Sequence, residues 1–195
     1  PDVEAIPTRK VVTWRHGGHV LGRLEIADGR LHAAASPRFE ARAIESTGEV
    51  VWCCWPRFDS EPVFSTLLDE RDGGHFVVGA PDGSRGSQRY LDNTNVLETT
   101  FRSADGTFRV LDFAPRFPQH ERMFRPTQLF RIVEPIDGAP RIRVLCDPRL
   151  GWSKATPQAL QGSNHIQFDG FASPLRLTTD IPPSYLGGQP FALTE

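Results

Sequence analysis

Trp55, Pro56, Arg57, Phe58 and Asp59 are the residues of this sequence best placed to act on something outside the chain. The arginine offers a fixed fork of N–H donors, the aspartate two acceptor oxygens, and the aromatic rings flat apolar faces. Pro56 cannot donate to a β-ladder, so a strand ends there and the next residues project from the end of a sheet, where sites are commonly built. A plainer reading covers the same residues: Asp59 caps the amino terminus of a helix, Arg57 pairs locally and Phe58 joins the core. Trp52 and Trp55 together suggest a stacking platform for a sugar ring. Alternation along a strand, however, puts 52 and 54 on one face and 53 and 55 on the other. Core packing therefore suits Trp52 better, while Trp55 stays open.

The other constellations are weaker. His16 and His19 flank two glycines but lack the further donors a metal needs, so a solvated loop, no metal and no cofactor are expected. Glu45, Glu49, Glu61, Asp69, Glu70 and Asp72 lie near turns and presumptive helix ends, where carboxylates are normally solvated or capping. They are read as surface. Cys53, Cys54 and Cys146 make an odd count with no zinc-type spacing, which argues against a disulfide framework and for a cytoplasmic location. No phosphate-binding glycine loop or nucleophile elbow is present at a convincing spacing.

The elements that must hold these residues read as β-strands. Gly and Pro number 17 each in 195 residues, and 13 Phe with four Trp stand against a single Met, a turn-rich and aromatic composition that disfavours long helices. Residues 96–102 and 107–113, β-branched and aromatic, flank Asp105-Gly106 and predict a hairpin. The same logic pairs 24–26 with 30–32 across Asp28-Gly29, and 41–45 with 49–54 across Thr47-Gly48. Further strands are predicted at 76–78, 127–133, 141–146, 165–168 and 175–178. One stretch, 59–68, carries a cap residue, an early Pro and Val63, Phe64, Leu67 and Leu68 on one helical face, and predicts a short helix. The expected fold is an all-β antiparallel sandwich of two sheets with that one helix. A net charge of −2, from 22 basic and 24 acidic residues in mixed order, gives neither a basic stripe for nucleic acid nor a basic amphipathic helix for membranes.

Two stretches carry a resemblance. Residues 48–69, GEVVWCCWPRFDSEPVFSTLLD, are similar to the phrase G-x-[IV]-x-W-x-C-x-P-R-F-D-S-x-x-V-F-x-x-L-L-D. Residues 89–101, RYLDNTNVLETTF, continued by 104–113, ADGTFRVLDF, are similar to R-Y-x-x-x-T-N-V-L-E-T-x-F … D-G-x-x-x-V-x-D-F. Both phrases resemble glycoside hydrolase family 15, the glucoamylases, and its bacterial trehalase-like branch. Weaker similarity continues through 129–135 and 140–144, giving a covered region of 41–195. Residues 1–40 depart from the pattern, with Ser36-Pro-Arg-Phe-Glu40 where an Ile-Gly-Asp/Asn type segment usually stands, and are expected to add strands to the same domain.

The resemblance implies an amino-terminal β-sandwich of the supersandwich, galactose-mutarotase-like type, followed in the parent enzyme by an (α/α)6 barrel. There two Glu residues cleave an α-glucoside by inversion, one as acid and one as base. Nothing after residue 74 reads as such a barrel, so no catalytic residue is assigned to this chain and it is expected to be inactive alone. The loop from Trp55 to Asp59 is expected to face the barrel and its sugar pocket. The expected partners are that missing barrel and, through it, the α-glucoside. Two other classes stay open: an independent carbohydrate-binding module, or a self-associating interaction domain that forms a homodimer through uncovered apolar surface.

Overall fold

The computed structural model describes residues 9–16, 19–27, 30–35 and 42–193, with side chains described from residue 43 onward except that of Gln119. Eighteen strands follow one another among these residues. They are β1 Arg9–His16, β2 His19–Ala27, β3 Arg30–Ala35, β4 Arg42–Ile44, β5 Val50–Cys54, β6 Pro62–Phe64, β7 His75–Gly79, β8 Ser87–Tyr90 and β9 Leu97–Ser103. The series continues with β10 Gly106–Phe113, β11 Phe117–Gln119, β12 Arg122–Phe124, β13 Phe130–Gly138, β14 Arg141–Asp147, β15 Gln158–Gln161, β16 His165–Asp169, β17 Leu175–Thr178 and β18 Gly187–Ala192. Every ladder between them is antiparallel. The all-β class follows from the composition as expected.

The Asp105-Gly106 hairpin anchors one layer. β9 and β10 pair with Ser103 opposite Gly106 and Phe101 opposite Phe108, and those two rings stack with centroids 4.8 Å apart. Cross-strand aromatic pairs of this kind add to the ladder's own hydrogen bonds. β8 and β13 extend the sheet on either side to the order β13-β10-β9-β8. Opposite lie two three-stranded sheets, β18-β14-β7 and β4-β5-β6. A bridge from Glu49 to Val77 and a bond from the Val78 amide to the Gly48 carbonyl, 3.1 Å, join them into one layer.

Between the layers lies one core. Val50, Cys53, Val63, Phe64, Phe76, Val78, Ile142 and Val144 meet Phe101, Phe108 and Val110, all buried. Burying each such side chain contributes about 1.5–3 kcal/mol. One charged pair is sealed in the same region. Arg131 of β13 grips Asp112 of β10 with two bonds, Nε to Oδ1 at 2.7 Å and Nη2 to Oδ2 at 3.3 Å, and the two side chains are only 4% and 1% exposed. The guanidinium also donates to the carbonyls of Gly48, 2.6 Å, and Phe76, 3.2 Å, and sits 4.8 Å from the Phe76 ring centre. A buried cation is tolerated when its donors find acceptors. Here those acceptors belong to both layers, so the arginine ties the hairpin to the turn that starts β5. That turn needs glycine: Gly48 has φ +82°, and a Cβ there would lie 2.0 Å from the Val78 carbonyl oxygen.

Smaller sheets complete the molecule: β1-β2-β3, β15-β16-β17 and the ribbon β11-β12. The expected pairing of 24–26 with 30–32 is present, Leu24 opposite Ala33 and Ile26 opposite Leu31, although Asp28 and Gly29 lie outside the described residues. The hairpin of 41–45 with 49–54 is present as β4 and β5, and the single strands expected at 76–78, 141–146, 165–168 and 175–178 are β7, β14, β16 and β17.

The short helix expected over 59–68 is not formed. Pro62, Val63 and Phe64 are all buried and run as β6, with Phe64 opposite Cys53, and turns follow from Thr66. A short apolar run fits either period, and here pairing to β5 decides it. The helical pieces among the described residues are two 3-10 turns, Gly151–Ser153 and Pro183–Leu186. No helix of the described residues is long and apolar enough to cross a membrane.

Candidate functional site

Strand β5 delivers the site. Its ladder is irregular twice, between Ala43 and Ile44 on the β4 side and between Cys53 and Cys54 on the β6 side. Such bulges twist a strand and re-aim its side chains. Beyond Cys54 the chain turns through Trp55 and Pro56, joined by a cis peptide bond. It returns to β6 with the Trp55 amide donating to the Glu61 carbonyl at 3.4 Å.

The intervening loop is braced from within. Arg57 and Asp59 form a two-pronged ion pair, Nε to Oδ1 at 2.9 Å and Nη2 to Oδ2 at 2.8 Å. The Arg57 amide donates to the Ser60 hydroxyl, 3.2 Å, and the Ser60 amide to the Arg57 carbonyl, 3.1 Å. The guanidinium's bonds hold the Asp59 carboxyl below the usual carboxylate range, and the carboxylate in turn pushes Arg57 up. Both side chains stay in solvent, 65% and 48% exposed. The expected projection from the sheet end is therefore present. Of the plainer reading, local pairing of Arg57 is present, whereas Asp59 caps no helix because none follows. Phe58 is half-buried and stands outside the central cluster of buried residues.

The two tryptophans do occupy opposite sides, but with roles exchanged. Trp55 packs against the core, and Trp52 lies partly buried on the other face. There it meets Trp152, ring centroids 6.2 Å apart and planes tilted by 46°. The irregularity beside β4 accounts for the arrangement: it leaves Val51 as the extra residue of β5, so that Val50 and Cys53 both turn inward and Trp52 stays outside. Trp152 escapes sequence reasoning, since its partner belongs to a distant strand. The only local signal was Gly151 before an aromatic residue.

Trp152 is held out by its own turn. Leu150 and Ala155 bridge, with the Leu150 amide donating to the Ala155 carbonyl at 2.9 Å, and the Ser153 hydroxyl bonds the Leu150 carbonyl at 2.6 Å. Gly151 has φ +49°, and a Cβ there would fall 1.8 Å from Oε2 of Glu61. Glu61 thus packs directly under the turn. Lys154, itself left-handed at φ 56°, reaches Asp69 in an ion pair. That ammonium, with the amides of Asp72 and Arg71, brings the Asp69 carboxyl down to about 2.

The remaining carboxylates divide. Glu45 stands near Arg85, 3.9 Å, and Glu70 and Asp72 are exposed. Glu49 departs from the surface reading, being half-buried with Oε1 2.7 Å from Nδ1 of His75. None of the three cysteines forms a disulfide; burial pushes Cys54 up to about 11 and Cys146 up to about 12. His16 and His19 end β1 and begin β2, but their side chains lie outside the described residues. No grouping of three or more metal-ligating side chains occurs among the described residues.

Comparison with known proteins agrees on one family. A family model described as "Trehalase-like, N-terminal" matches residues 16–181, which includes much of the region before residue 41 that departs from the expected phrases. Trehalase 1 of Sulfolobus acidocaldarius is 41% identical over 73 residues, 37% of this chain and 13% of that protein. Trehalase 2 of the same organism is 28% identical over 149 residues, 74% of this chain and 26% of that protein. The trehalase of Mycobacterium tuberculosis is 31% identical over 160 residues, 71% of this chain and 23% of that protein. The chain spans about a quarter or less of the length of these relatives. No solved structure matches. With its paired phrases, its antiparallel sandwich and this match over most of its length, the chain belongs to the trehalase-like N-terminal domain family.

Proposed function

We propose that this chain is the non-catalytic amino-terminal sandwich of a trehalase-type enzyme of the glucoamylase class, a hydrolase that cleaves an α-glucosidic bond with inversion. Its partner is an (α/α)6 barrel of the same protein, and the end of the sandwich carrying Trp55, Pro56, Arg57, Phe58 and Asp59 packs toward that barrel and shapes the entrance to its glucoside pocket. The observation that carries this reading is the braced Arg57–Asp59 pair. It is fixed by four bonds, it stands in solvent at the sheet end, and it lies inside the family match.

An exposed ion pair contributes little to the stability of the domain that carries it. Holding a loop in one geometry does lower the ordering cost of docking against a second surface. The lengths of the relatives, of which the match covers 26% or less, leave room for a separate catalytic domain. Cysteines outside any disulfide suit a reducing, cytoplasmic setting.

The test is glucose release from trehalose and maltose. The purified 195-residue chain is expected to release none, while a polypeptide extended to the length of the trehalase relatives releases glucose. Turnover that co-purifies with the short chain contradicts the reading.

A further inference from the structure

Trp152 is 60% exposed, the largest side chain left so far in solvent among the described residues. A lone exposed apolar residue needs no explanation. This one differs because the chain fixes it: one flank of the indole rests against Trp52, and the turn that carries it is closed by the Leu150–Ala155 bridge and the Ser153 hydroxyl. The same turn contains two left-handed residues, Gly151 and Lys154, and is strapped to Asp69. Left-handed backbone at a non-glycine residue is retained against a conformational cost, which points to a position held for use. Glu61 lies beneath the turn with its carboxylate toward Gly151, so an acceptor group underlies the turn that carries the ring.

We propose that Trp152 is a stacking platform for a hexopyranoside ring, with Trp52 as its backing and Glu61 as an acceptor for the sugar's hydroxyls. The pyranose class rests on the α-glucosidase reading given above; the platform itself rests on the geometry. The C–H face of a pyranose is flat and apolar and matches an indole face, while its rim of hydroxyls needs acceptors and donors. Two of the charges near the turn are paired, Asp69 with Lys154 and, at the loop before Glu61, Asp59 with Arg57.

The experiment follows the four indole N–H resonances of the 195-residue chain, assigned with W152F and W52F, during titration with trehalose, maltose and glycerol. The Trp152 and Trp52 signals are expected to shift together and saturate at millimolar disaccharide, with no such response to glycerol. W152A weakens binding by about tenfold or more, W152F keeps part of it, and E61A lowers it with the fold intact by circular dichroism. Indole signals that stay fixed, or that all four drift linearly with disaccharide and glycerol alike, overturn the platform. A silent titration leaves the packing role of the domain standing, whereas turnover by the short chain overturns the packing role and leaves a stacking platform standing.

Discussion

At the scale of single residues, Arg131 carries the most consequence. Its guanidinium meets Asp112, the carbonyls of Gly48 and Phe76, and the Phe76 ring, and water reaches almost none of it. Removing one member of such a pair leaves the other charged and buried, which costs about 3–5 kcal/mol. R131A is therefore expected to lower the urea midpoint by that equivalent, and R131M/D112L to recover much of it, because two apolar groups leave no orphan charge. A midpoint for R131A within error of the parent contradicts the stitching role. None of this was legible in the sequence. Arg131 and Asp112 read only as strand residues, and their pairing depends on the register of β10 with β13. The Arg57 loop, by contrast, was legible, because Pro56 dictates where the strand stops whatever lies elsewhere.

At the scale of elements, the turn 150–155 and the turn 69–72 share one strap. Asp69 titrates near 2 when folded, against an ordinary 3.8, chiefly through Lys154. A carboxyl depressed by folding stabilises the folded state above its unfolded value and loses that contribution as pH falls through the folded one. The strap should thus hold down to about pH 4 and release between pH 4 and pH 2. D69N is expected to flatten the pH dependence of the unfolding temperature in that window and to leave it unchanged at pH 7 to 5; parallel profiles for parent and variant contradict the strap.

Elements also show where pattern reading succeeds. The hairpin of β9 and β10 was plain because an Asp-Gly turn and alternating side chains agreed. The segment 59–68 misled because Val63, Phe64, Leu67 and Leu68 fit a helical face, and only the ladder to β5 selects a strand. Trp52 misled for a related reason: the extra residue at Val51 shifts which face of β5 is inward, and a bulge leaves no mark in a single sequence. The ribbon β11-β12 had no signal at all, being two three-residue strands, the first containing Pro118. Its Phe117 and Phe124 stack at 5.8 Å while remaining largely exposed.

At the scale of the whole molecule, two antiparallel layers share one core, and the loop from Trp55 to Asp59 is presented at the end of one of them. The class of fold was legible from turn frequency and aromatic content. The joining of β4-β5-β6 to β18-β14-β7 was not, since it rests on the bridge between Glu49 and Val77, the bond from the Val78 amide to the Gly48 carbonyl and the conformation of Gly48. The chain belongs to the trehalase-like N-terminal domain family and spans about a quarter of the length of the trehalase relatives it matches. The most direct test compares amide hydrogen exchange of residues 55–60 in this chain and in a polypeptide extended to the length of those relatives. The account predicts that these loop amides exchange more slowly in the long polypeptide than in the short chain; equal exchange in both contradicts it.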